Sequence, residues 1–156
     1  MTMTTQADCR LLPNVPVSNP WADPGHGNFC EVFRCRRKDT GAYYAGKFVT
    51  LRRLGTSESI ITSGALHEIA ILDACRACPR MIRLYEIYQE KDRVVLILEY
   101  AAGGDFQSVL DEDQVPLESD VARFMRQILD GLGYMHDRHI VHMDIKALNA
   151  YLLQSR

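Results

Sequence analysis

The sequence has no apolar run approaching the ~18 residues that a membrane-spanning helix requires. Residues 1–24 lack the basic-then-apolar pattern of a secretory signal, so an intracellular setting is expected. Positive charge is equally scarce in runs: the longest is Arg36, Arg37 and Lys38. With a net charge of −2, this leaves no electrostatic case for a nucleic-acid or anionic-membrane partner. The five cysteines (Cys9, Cys30, Cys35, Cys75, Cys78) are expected to be free thiols. Cys75 and Cys78 form a CxxC, but no second Cys/His pair stands at zinc-ligand spacing. The pair reads as a helix end running into Cys-Pro. No internal repeat is present.

What is there suits a soluble core: 47% of the residues are hydrophobic and 24% charged. The 156 residues have room for one domain, or one small domain and part of another. Residues 1–24 hold four prolines and no period, which predicts an irregular leader. "EVFRCRRK" and "AYYAGKFV" flank Asp39-Thr40-Gly41 and predict a hairpin. "GALHEIAILDACRA" places Ala65, Ile69 and Leu72 at helical spacing, with Glu68 beside them. "MIRLYEIYQ" and "RVVLILEY" predict a second hairpin, and "AAGGD" breaks the pattern. "LESDVARFMRQILDGLGYMHD" then puts Val121, Phe124, Ile128, Leu132 and Met135 on one face of a long helix, with Ser119 as its expected cap. A sheet with segregated helices is an α+β fold.

Four stretches carry chemistry. In "GHGNFCEV" (25–32), Gly25 and Gly27 would let backbone amides approach phosphate with no Cβ in the way. A dinucleotide fingerprint is excluded by context, because a proline-rich stretch precedes these glycines and a strand follows them. Lys47 stands between apolar Ala45 and Phe48, so burial would demand an anionic partner, for which Glu68 is the candidate. "LILEYAAGGD" (96–105) reads as a strand ending in a Gly-Gly link. In "HMDIKALN", His142, Asp144, Lys146 and Asn149 fall in an H-x-D-x-K-x-x-N spacing behind an apolar helix.

In this order and at these spacings, the stretches resemble a protein kinase over about residues 25–153. "KDTGAYYAGKFV", "LHEIAIL", "CPRMIRLYEIY" and "LILEYAAGGD" are similar to the DAP-kinase-related serine/threonine kinases of the calmodulin-kinase group. The resemblance implies a small antiparallel-sheet lobe with an αC-type helix (25–100) and the first helices of an incomplete larger lobe (101–156). It implies ATP and Mg2+ as cofactors, a protein substrate offering serine or threonine, a role in cell-death signalling, and residence in nucleus or cytoplasm.

Site roles follow from the same resemblance. Phe29 would cap the phosphates and Val32 roof the adenine; Lys47, beside Ala45, would tie the α- and β-phosphates with Glu68 as its partner. Leu98 would be the gatekeeper. The Glu99 carbonyl and Ala101 backbone would bond the adenine edge, and Asp105 would reach the ribose. Asp144 would accept the substrate hydroxyl proton, Lys146 stabilise the transferring phosphoryl, and Asn149 hold the metal.

Departures shape further expectations. Cys30 replaces the third glycine, Met143 the arginine before Asp144, and Ala147 a proline. Tyr151 falls where a leucine floors the adenine, which predicts an altered pocket. Met143 implies no dependence on an activation-loop phosphate. The 156 residues contain no Asp-Phe-Gly, so the chain is expected to be a piece of a kinase whose 118–137 helix exposes an apolar face to a partner protein. Two readings stand: the N-terminal part of an enzyme, or a catalytically incomplete module that binds nucleotide or protein.

Overall fold

The structure is a computed structural model, and it describes residues 4–5, 11–16, 30–54, 58–60, 63–90, 93–111 and 117–153. Strands β1 (Thr4–Thr5), β2 (Leu11–Pro16), β3 (Cys30–Arg37), β4 (Tyr43–Thr50), β7 (Leu84–Gln89) and β8 (Arg93–Glu99) form one sheet. Its order is β1-β7-β8-β4-β3-β2, antiparallel except for the β1–β7 pair. A separate pair, β5 (Arg52–Leu54) with β6 (Glu58–Ile60), precedes helix α1 (Ser63–Ala74). Helices α2 (Phe106–Leu110) and α3 (Glu118–His136) and a 3-10 turn (Ala147–Asn149) follow. Both expected hairpins are present, and both expected long helices. The chain divides into two compact units, Met1–Ala70 with Arg83–Tyr100 and Ile71–Ile82 with Ala101–Arg156.

In the first unit, alternation along β3, β4 and β8 sorts side chains onto two sheet faces. Register puts Phe33, Cys35, Tyr44, Gly46, Phe48, Val95, Ile97 and Tyr88 on one face. There Cys35, Tyr88, Val95 and Ile97 form a buried cluster backed by Phe33, Tyr44 and Phe48. Phe33 and Phe48 meet edge to face with centroids 5.3 Å apart. The other face carries Val32, Ala45, Lys47, Leu96, Leu98, Leu84 and Ile87. Val94, Val95, Leu96 and Ile97 are all buried, so β8 is covered on both faces, as its unbroken apolar run requires. The turn at Gly41 needs a left-handed backbone (φ 72°), which glycine adopts without cost.

The leader departs from expectation. Leu11–Pro16 is not irregular: it pairs antiparallel with β3, with a register shift between Pro13 and Val15. Proline lacks an amide donor, but an edge strand leaves one side of its ladder unpaired, and an irregularity absorbs the rest.

In the second unit, α3 ends in a left-handed residue, His139 (φ 59°), and the Ile140 amide donates back to Met135 O at 3.0 Å. This closure launches the loop at 141–149. The cap expected of Ser119 is not formed. Leu117 occupies the N-cap without a side-chain bond, and Glu118 and Asp120 in the first turn meet the helix dipole instead. The expected apolar face of α3 is partly covered: Met135 is buried, and Phe124 packs on Phe106 at 5.1 Å. The apolar residues left exposed are Leu117, Val121, Met125 and Leu129, at four-residue spacing.

Candidate functional site

Gly25, Gly27 and Phe29 lie outside the described residues. The other expected residues fall into two groups, one in each unit.

In the first unit the register aligns Val32 with Lys47 and Lys47 with Leu96, while Ala45 pairs with Leu98. Val32, Ala45, Lys47 and Leu98 therefore share one sheet face, an apolar surface interrupted by one ammonium. Lys47 is the one buried charged residue among the described residues, 8% exposed. Its Nζ donates to both Glu68 oxygens, at 2.6 and 2.8 Å. The pair was only inferable from sequence as a need; the structure supplies it because α1 carries Glu68 to that face of β4. Burying an ammonium against a carboxylate gains little stability over an apolar pair. A cation held rigidly on an apolar face is suited to gripping an anion, and an apolar face beside it to covering a flat base.

Glu99 pairs with Tyr44, which turns its side chain to the opposite face. Its amide donates to Arg83 O at 2.9 Å and its carboxylate accepts from Arg83 N at 3.3 Å, leaving the expected carbonyl role untouched. In the second unit, Ala101 O accepts from the Gly104 amide at 3.2 Å, so the bond expected of this backbone falls to its amide.

Asp105 has a structural task that the sequence reading missed. It is the N-cap of α2, its Oδ1 accepting from Ser108 N at 2.8 Å and Ser108 Oγ at 3.1 Å. The signal was legible, since aspartate before an apolar helical run is a capping pattern. Asp105 also bridges Tyr151, and flanking backbone bonds join Gly103 N to Leu152 O (2.8 Å), Leu152 N to Gly104 O (2.9 Å) and Phe106 N to Ala150 O (2.7 Å). Burial, and then Asp105, push the Tyr151 phenol up to about 12, so it stays neutral.

The loop at 142–149 is ordered by its own polar groups. Lys146 Nζ lies 3.1 Å from Asp144 Oδ2. Asn149 Nδ2 donates to Asp144 O at 2.8 Å and to Asp144 Oδ2 at 3.0 Å. The Asp144 amide also donates to His142 O, and lies 3.3 Å from His142 Nδ1. Hydrogen bonds from Lys146 and then Asn149 hold the Asp144 carboxyl below its ordinary value. Asp144 is therefore an ionised, exposed carboxylate beside a lysine.

Asn149 also answers whether a magnesium ion fits. With Nδ2 spent on Asp144, Oδ1 is a buried acceptor with no hydrogen-bond partner among the described residues. An uncommitted amide oxygen beside a carboxylate is the oxygen donor chemistry a hard cation takes. No trio of His, Cys, Asp or Glu able to hold a metal occurs among the described residues, Cys75 and Cys78 included. Those two thiols are buried and free, and burial followed by the proximity of Cys78 raises Cys75.

Comparison with known proteins places this arrangement. The chain is 40% identical over 136 residues to serine/threonine-protein kinase 17A of Oryctolagus cuniculus, covering 86% of this chain and 34% of that protein. It is 36% identical over 130 residues to death-associated protein kinase 2 of Mus musculus (83% and 35%). It is 34% identical over 130 residues to a death-associated protein kinase related protein of Drosophila melanogaster (83% and 19%). The chain thus spans about a third or less of the length of these curated relatives. Residues 22–156 match the protein kinase domain. That match takes in both the sheet with its lysine–glutamate pair and the H-x-D-x-K-x-x-N loop, and the chain belongs to the protein kinase family.

Proposed function

We propose that this chain carries the nucleotide-gripping and phosphoryl-transfer residues of a serine/threonine protein kinase that uses magnesium-ATP. The observation that carries this reading is Lys47, buried and held by both Glu68 oxygens on the face that presents Val32, Ala45 and Leu98. Lys47 would bind ATP phosphates and those apolar side chains its base, with the Glu99 carbonyl and Ala101 amide at the base's polar edge. Asp144 would accept or orient the proton of a serine or threonine hydroxyl, for which an ionised carboxylate is required. Lys146 would stabilise negative charge on the phosphoryl, and Asn149 would hold a magnesium ion through Oδ1. Bound magnesium supplies charge neutralisation on the phosphates.

The names of two relatives support extending the proposal to cell-death signalling; residence in the nucleus or cytoplasm is part of the proposal. Loss of viability on expression that Lys47→Met abolishes would support that extension, and equal effects of both chains would remove it. A second reading is favoured by one observation, the exposed Leu117, Val121, Met125 and Leu129 on α3. An apolar stripe of this kind suits a protein contact, so the fold would act as a binding module.

Calorimetry with magnesium-ATP separates the two. Micromolar to sub-millimolar binding, lost in Lys47→Met and kept in Asp144→Asn, together with transfer to a serine peptide lost in both, supports the enzyme. Binding that survives Lys47→Met shows that Lys47 does not mark the phosphate site. Binding without transfer in the unaltered chain supports the module.

A further inference from the structure

Charge on β3 is divided between the two faces of the sheet. Arg37 points to the face of the buried cluster, where it pairs with Glu86. Arg34 and Arg36 point to the other face, opposite Ala45 and Tyr43. Neither has a carboxylate partner among the described residues. Glu31 and Glu99 lie on the far face by register, opposite Phe48 and Tyr44. Asp39, in the adjoining turn, accepts from the Thr40 amide at 2.8 Å. On the other flank, Arg34 and Arg36 pair in register with Val15 and Leu12 of β2, which carry no charge.

The two guanidiniums are organised around one ring. Arg34 stands 5.1 Å and Arg36 6.0 Å from the Tyr43 centroid, and Tyr100 lies against Tyr43 at 6.3 Å with planes inclined by 45°. Arg36 Nε is spent on Gly41 O at 3.2 Å, which fixes its side chain over the turn. Arg34 Nε is buried without a hydrogen-bond partner among the described residues. Tyr43 is 46% exposed, so the ring between the two cations is open to a partner.

We infer that Arg34, Arg36, Tyr43 and Tyr100 form a docking patch for an acidic peptide segment. Two guanidiniums without a carboxylate among the described residues, on a chain of net charge −2, make a local positive spot that selects carboxylates by complementarity. The guanidinium fork takes carboxylate oxygens in a planar geometry that a lysine does not match. The exposed Tyr43 ring, with half-buried Tyr100 against it, gives an apolar side chain of the same peptide a surface, as Arg and Tyr do in protein interfaces. The patch binds without nucleotide and stands independently of phosphoryl transfer.

The test is fluorescence polarisation of a labelled Glu-Glu-Leu-Glu-Glu peptide with the full chain and no nucleotide. The expected result is binding that falls about tenfold in Arg34→Gln/Arg36→Gln, and that weakens between about 50 and about 500 mM NaCl. Tyr43→Ala should weaken it by a smaller factor. Arg123→Gln/Arg126→Gln removes the same charge from α3 and should leave binding unchanged. Arg36 is exposed, so Arg36→Gln alone keeps the patch testable if the double variant fails to fold. Equal binding by a Gln-Gln-Leu-Gln-Gln peptide overturns the proposal. So does equal loss in the α3 variant, or unchanged binding in Arg36→Gln and Tyr43→Ala.

Discussion

Gly46 precedes Lys47, and replacing it by alanine should damage the sheet. A Cβ built there meets Cys35 Sγ at 2.6 Å and Phe48 Cε2 at 3.2 Å. Cys35 is fully buried, and its thiol donates to Phe33 O at 3.6 Å, so the sulfur has little room to retreat. Overpacking of this kind costs about 1–3 kcal/mol. Alanine in place of glycine in a regular element returns about 0.5–1 kcal/mol of chain entropy. The clash wins, and Gly46→Ala should lose about 1–2 kcal/mol in urea unfolding. Cys35→Ala alone removes one buried sulfur and should lose about 1 kcal/mol. In the double variant the new methyl occupies the space the sulfur left. The double variant should be about as stable as Cys35→Ala, a coupling of about 1 kcal/mol or more. If the two losses add within about 0.5 kcal/mol, the sulfur does not set the need for glycine and the reasoning is wrong.

Glu68→Ala removes the carboxylate that accepts twice from the Lys47 ammonium at a site only 8% exposed. Because the Glu68 side chain is itself 36% exposed, the loss should be about 1–3 kcal/mol rather than the full cost of a buried pair. Adding Lys47→Met should recover most of it in thermal unfolding, and failure to recover would show that the pair is not the cause. The Asp144 carboxyl should titrate by carbon NMR below the ordinary value of about 3.9. Since its folded value is the depressed one, its stabilising contribution is present above about pH 3.9 and is lost as pH falls through the folded value. Lys146→Ala should move the midpoint upward, and an unmoved midpoint would remove Lys146 as the cause.

Much of this was legible because it is local. The hairpin around Gly41 and the two long helices follow from turn chemistry and period. The spacing from His142 to Asn149 brings its polar groups together within one short loop, so the chain alone dictates the contacts of Asp144. The leader was misread because proline counts against a strand, and only the neighbour β3 makes Leu11–Pro16 an edge that tolerates it. The role of Asp105 was underestimated because one aspartate fits both a helix cap and a ligand contact, and the bonds to Ser108 show the cap.

By itself, then, the chain determined element type, the shared face of Val32, Ala45 and Lys47 within their hairpin, and the internal order of the loop. These depend on separations of a few residues, where the periods of strand and helix leave few alternatives. Tertiary structure decided that Glu68 meets Lys47, that Cys35 demands glycine at 46, and that Arg34 faces a ring but, among the described residues, no carboxylate. The first joins a strand to a helix 21 residues on, and the other two are set by how side chains pack across the β3–β4 hairpin, which the period of the chain alone does not specify.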